Sequence, residues 1–187
     1  LREAKKAAVM MVERLSAEDR IAIITYNSEA DVIVPSTFCI DSQFIVDQIN
    51  RIEAGGQTAL HDGWLTSAAE VARYKSPTSL NRVLLLSDGN ANVGLRNPHS
   101  IKSQCAQLAD RAVTTSTYGL GHDFNEDLMI GMADAGLGQG YYGETAADLA
   151  DPFNEEFELL TNTLATRIVL RAETPAHVSM ELQNEFR

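Results

Sequence analysis

Ile21 to Tyr26, Val83 to Leu86 and Val113 to Tyr118 are near-continuous runs of apolar and β-branched residues, too short for buried helices. Strands of that kind are covered on both faces, as in a parallel sheet. Between them, apolar residues fall at helical spacing: Leu1, Ala4, Ala8, Met11 and Leu15; Phe44 to Ile52; Leu65, Ala68, Ala69 and Ala72. The pattern resumes at Ile101, Cys105, Leu108, Ala109 and Ala112, and again at Leu128, Met129, Met132 and Ala133 behind Asn125, a capping residue type. This alternation predicts an α/β fold: a doubly wound, Rossmann-like, mostly parallel sheet with helices on both faces. Ser16 to Asp19 should end the first helix. Asn27 to Glu29 is too short for a crossover, so Asp31 to Pro35 should return antiparallel as an edge strand, where a proline is tolerated.

The rhythm continues through a glycine-rich turn at Gly136 to Tyr142 and a helix started by Asp151-Pro152, with Phe153, Phe157, Leu160 and Leu164 on one face. It then breaks. Arg167 to Glu173 and His177 to Leu182 read as two strands around Thr174-Pro175. Residues 1–165 are therefore expected to form one domain, and 166–187 an extension or the start of another module. At 187 residues and 44% apolar content there is enough chain for one full core. A formal net charge of -11 argues against a phosphate-backbone partner, so no nucleic acid is expected. No apolar run reaches the roughly 20 residues of a membrane span, and no signal peptide opens the sequence. Cys39 and Cys105 have no metal-ligand spacing, and Cys105 falls on an apolar helix face as a buried thiol would.

Doubly wound sheets bind ligands at the carboxyl ends of their strands, and Asp88 stands at such an end, where Leu84-Leu85-Leu86 gives way to Ser87-Asp88-Gly89-Asn90-Ala91-Asn92-Val93-Gly94. A second segment, Gly55-Gly56-Gln57-Thr58-Ala59-Leu60-His61-Asp62-Gly63, opens a helix. With Lys5-Lys6-Ala7-Ala8, Asp19-Arg20-Ile21-Ala22 and Ala133-Asp134-Ala135-Gly136 before Tyr141-Tyr142, these segments resemble the von Willebrand factor A domain family from Leu1 to about Thr163. Asn92-Val93-Gly94 is similar to bacterial stand-alone or membrane-tethered members. The resemblance implies a non-enzymatic, divalent-cation-dependent protein-binding domain with a metal-ion-dependent adhesion site. Thr58 and Asp88 would be ligands, and Gly55, Gly56 and Gly89 would shape the loops. The cation would be Mg²⁺, or Mn²⁺ or Ca²⁺, and an Asp or Glu of a partner protein would complete its shell. A cell-envelope or extracytoplasmic setting is also implied.

Chemistry agrees, since Mg²⁺ takes about six oxygen ligands and keeps several waters. The family's third element, Asp-x-Ser-x-Ser at the end of a strand lying between the runs at Ile21 and Val83, is absent from this sequence. Without that strand, backbone groups on two buried strands would lack partners. The expectation is that about a dozen or more residues carrying this strand belong ahead of Leu1, or that a strand from elsewhere replaces it, with Arg167 to Glu173 or a neighbouring chain as candidates. Thr58 and Asp88 alone would hold Mg²⁺ poorly. Two rival readings follow: an assembly domain with an incomplete metal site, and a nucleotide-dependent enzyme, which would need a glycine-rich phosphate loop after the first strand. The remaining motifs read as structural. His61 and Asp62, adjacent at a helix start, should point apart. Gly119-x-Gly121 and Gly136-x-Gly138-x-Gly140 are turns, and Asp123, Asn125 and Asp127 form a helix start.

Overall fold

The computed structural model describes residues 1–76 and 78–162, together with positions 173, 177, 178 and 181. The domain boundary near Thr166 and the strands expected beyond it fall outside the described residues, isolated positions aside. Helix α1 (Arg2–Val12) leads to the antiparallel pair β1 (Arg20–Tyr26) and β2 (Ala30–Phe38). Helices α2 (Ser42–Arg51) and α3 (Leu60–Arg73) precede β3 (Arg82–Ser87), α4 (Pro98–Asp110), β4 (Thr114–Leu120), α5 (Glu126–Ala135), β5 (Gly140–Gly143) and α6 (Ala150–Asn162). β3, β4 and β5 are parallel neighbours in that order. The α/β architecture is thus the one the alternation predicts.

Several elements differ from expectation at their ends, and β4 runs on through Gly119, read as part of a turn, to Leu120 because both residues pair with β5. α1 stops at Val12 and not at Ser16, because Arg14 and Leu15 bond back to Met11 and Val12 in tighter turns, while the Asp19 carboxylate accepts from Ser16 N–H and Oγ at 2.8 Å each. β2 runs on past Pro35. Its register against β1 is irregular there, and Ser36 N–H is met by the buried Glu70 carboxylate of α3 at 2.9 Å, so the strand survives the residue that should have ended it. α4 closes at Asp110, and Ala112, read as helical, has a φ of +62°.

Among the described strands, the sheet is in two parts. Among the described residues, β1 bonds only to β2 and β3 only to β4, so no described strand lies along the other edge of either. The Tyr26 hydroxyl, at the end of β1, donates to the Leu86 carbonyl, near the end of β3. Both strands therefore finish at the same rim and are joined by a side chain where a ladder would otherwise be. Helices hold the two parts together. α3 packs on β1, β2 and β3, with Trp64 fully buried and its Nε1 donating to Thr115 Oγ1 at 3.0 Å. On the other face, α1 sends Ala7 and Met11 into the core around Tyr118 and Phe153, and Val12 into the core of Val34, Ile45 and Ile49. Cys105 is fully buried, and burial pushes its thiol up to about 12.

Candidate metal site

β3 ends where its apolar run does. Ser87 is buried and turns its hydroxyl onto Gly89 O at 3.0 Å, which sends the chain away from the sheet and leaves Asp88 on the rim. The Asp88 carboxylate is more than half exposed. Burial pushes the nearby Tyr26 phenol up to about 12, with Ser87 opposing the rise and the Asp88 charge adding to it.

Thr58 reaches the same rim from the other side of the split sheet. Gly56 has a φ of +79°, and a Cβ there would stand 2.9 Å from Asn27 Cβ, so the loop passes close over the end of β1 only as glycine. Ala59 N–H then donates to Asn27 O at 2.7 Å. α3 starts at Leu60 with no side-chain cap, so Thr58 does not spend its hydroxyl as an N-cap. Thr58 Oγ1 lies 3.7 Å from where a Cβ on Gly89 would be, beside Asp88. The Thr58 hydroxyl is thereby set beside Gly89, the chain neighbour of Asp88, by a loop that needs glycine at Gly56; a Cβ on Gly89 would make only an ordinary contact. A Cβ at Gly55 would meet nothing within 4 Å, so no steric need for glycine is visible there.

Two asparagines of the loop after β3, quoted in the sequence only for the family resemblance, hold this geometry. Asn92 accepts Thr58 N–H on Oδ1 at 2.7 Å and returns its own N–H to Thr58 O at 3.1 Å. Asn90 Nδ2 donates to Asp123 O at 2.7 Å, which ties the loop after β4 to the same rim. His61 and Asp62 do not point apart as expected: His61 Nδ1 is 3.3 Å from Asp62 Oδ1, and its Nε2 is 2.8 Å from Gln104 Oε1. The Asp62 carboxylate also lies 3.5 Å from the point a Cβ on Gly94 would occupy in the loop after β3. With His61 buried against Trp64, the pair ties α3 to α4. Asn125 caps α5 by accepting Leu128 N–H at 3.0 Å, as the sequence indicated.

The chain that carries this Gly-Gly-x-Thr loop and Ser-Asp-Gly strand end matches the family model of the von Willebrand factor type A domain over residues 1–155. The chain belongs to that family. Its domain is 30% identical over 172 residues to the uncharacterized protein YfbK of Escherichia coli K12, a match covering 91% of this chain and 30% of that protein. The chain spans less than half the length of the curated bacterial relatives it matches, 30% and 43%. Among solved structures, a von Willebrand factor type A protein of Catenulispora acidiphila aligns with a TM-score of 0.71 at 21% identity, over 82% of this chain and 36% of that one. Proximal thread matrix protein 1 of the mussel byssus, with a zinc-occupied MIDAS motif, aligns at 0.66 and 20%, over 84% and 40%.

The donors are of the right kind for a hard divalent cation: a hydroxyl and an exposed carboxylate, both oxygen. They would supply two of about six positions, and among the described residues no cluster of three or more His, Cys, Asp or Glu gathers to supply more. Among the described residues, no helix is long and apolar enough to cross a membrane.

Proposed function

We propose that this domain binds a protein partner through a divalent cation, Mg²⁺ by preference, held by Thr58 and Asp88 and completed by an Asp or Glu carboxylate of the partner. The convergence of the Thr58 loop and the Asp88 strand end on one rim carries this reading. Bound there, the cation supplies the positive charge that an acidic side chain seeks. The chain's own part is positional. Tyr26 and Ser87 hold the end of β3, Asn27 and Gly56 fit the Thr58 loop against it, and the rim stays open to solvent. The zinc-occupied motif of the mussel protein supports metal at such a rim, and the family supports a binding role over an enzymatic one. An extracytoplasmic setting in a bacterial cell is part of the same reading, and fractionating native cells would test it.

The remaining oxygens are proposed to come from a strand lying between β1 and β3, either from elsewhere in the polypeptide or exchanged from a neighbouring chain. Both bordering strands end at the metal rim, so a strand parallel to them would deliver its last residues beside Thr58 and Asp88. The two-donor count also favours a second reading, an assembly domain whose partner binding needs no metal. Calorimetry on the full-length protein separates the two. Mg²⁺ binding lost in Asp88→Ala and Thr58→Ala, with the fold unchanged by circular dichroism, supports the cation-dependent reading. Equal Mg²⁺ affinity in both variants and the parent rejects it, and partner binding that persists in chelator selects the assembly role.

A further inference from the structure

We infer that Asn92 is the positioning residue of this site: its side-chain amide fixes the peptide of Thr58, so the Thr58 hydroxyl is held toward Asp88 by a residue that does not itself touch the cation. The inference rests on the proposed metal site and adds to it a means by which an exposed loop is kept in one conformation. Gly55 to Gln57 is exposed and contains two consecutive glycines, a stretch with many backbone conformations open to it. The backbone of Thr58, by contrast, is fully engaged. Its N–H goes to Asn92 Oδ1 at 2.7 Å, and its carbonyl accepts Asn92 N–H at 3.1 Å and Val93 N–H at 3.4 Å. Asn92 thus closes a two-way pair with one residue 34 positions away, donating from backbone and accepting on side chain.

The direction of these bonds gives the idea its test, because neighbouring asparagines use opposite ends of the same amide. Asn92 is used as an acceptor, a part a carboxylate can also play, whereas Asn90 is used as a donor to Asp123 O, which a carboxylate cannot be. Asn92 is exposed, so its replacement should leave folding intact.

Full-length parent, Asn92→Ala, Asn92→Asp and Asn90→Asp are compared by amide hydrogen exchange without metal and by Mg²⁺ calorimetry. Supporting parts at metal sites are worth roughly 10–100-fold in affinity, so Asn92→Ala should bind Mg²⁺ about tenfold or more weakly and lose protection at the Thr58 amide. Asn92→Asp should restore both, and Asn90→Asp should leave the Thr58 amide protected. Thr58 exchange as fast in Asn92→Asp as in Asn92→Ala, or as slow in Asn92→Ala as in the parent, overturns the positioning role. So does parental Mg²⁺ affinity in Asn92→Ala while Thr58→Ala and Asp88→Ala lose theirs. If those two variants also bind like the parent, the metal site itself is refuted and Asn92 has no site to position.

Discussion

The two parts of the sheet are held by different physics. β3, β4 and β5 form a continuous parallel ladder with helices over both faces and Trp64, Ile101 and Met132 fully buried at one of them. β1 and β2 form a twisted pair with an irregular register, attached to the rest through α1, α3 and the Tyr26 hydroxyl. In the first part, backbone hydrogen bonds set the geometry and side chains fill space. At the seam, among the described residues, side chains and helices join the two parts. The proposed site straddles that seam, with Asp88 on the ladder side and Thr58 on the other, so anything that loosens the seam should reach the metal before it reaches the fold.

The largest expected effect lies within the ladder part. Trp64→Ala removes a fully buried indole and its bond to Thr115, and should cost about 3–5 kcal/mol in chemical denaturation. A loss well under 1 kcal/mol would mean that α3 is not clamped to this part. Next comes the seam. A Cβ on Gly63 would lie 2.5 Å from the Tyr26 ring, so Gly63→Ala should cost about 1–3 kcal/mol and weaken Mg²⁺ binding along with it. Destabilisation without a change in metal affinity would break the link between seam and site.

The smallest effect is in pH. A tyrosine whose folded pKa is raised binds its proton longer in the folded than in the unfolded state, so stability falls as pH climbs from about 10, where unfolded tyrosines titrate, to about 12, where Tyr26 does. Tyr141, pushed up to about 12 by burial, titrates in the same window on the ladder side. Tyr26→Phe should therefore flatten only part of the alkaline decline, at a fixed loss of about 1 kcal/mol for the missing bond to Leu86. An unchanged alkaline profile would place Tyr26 outside the seam.

The ladder part was the more legible in the sequence. Val83 to Leu86 and Val113 to Tyr118 announce strands buried on both faces, and Asn125 announces the start of α5, because these are local patterns with one structural solution. The extent of β2 was not legible, since what carries it past Pro35 is a carboxylate 34 residues later, Glu70, meeting Ser36 N–H. Thr58 and Asp88 could be picked out through family resemblance, but the bonds that bring them together could not. Asn92 and Asn90 make ordinary loop residues in sequence, and only the fold sets their amides against partners across the rim. The contact of His61 with Asp62 was missed for a similar reason: helical geometry sets where side chains start, and neighbours such as Gln104 set where they end.

Whether positions 58 and 88 serve one cation can be read directly by adding Mn²⁺ in small amounts to isotope-labelled protein and following paramagnetic broadening of backbone resonances. The amides of Thr58, Asp88 and Gly89 should broaden first and together, and Mg²⁺ should reverse it. Early broadening confined to another acidic stretch, with these three unaffected, would contradict the account.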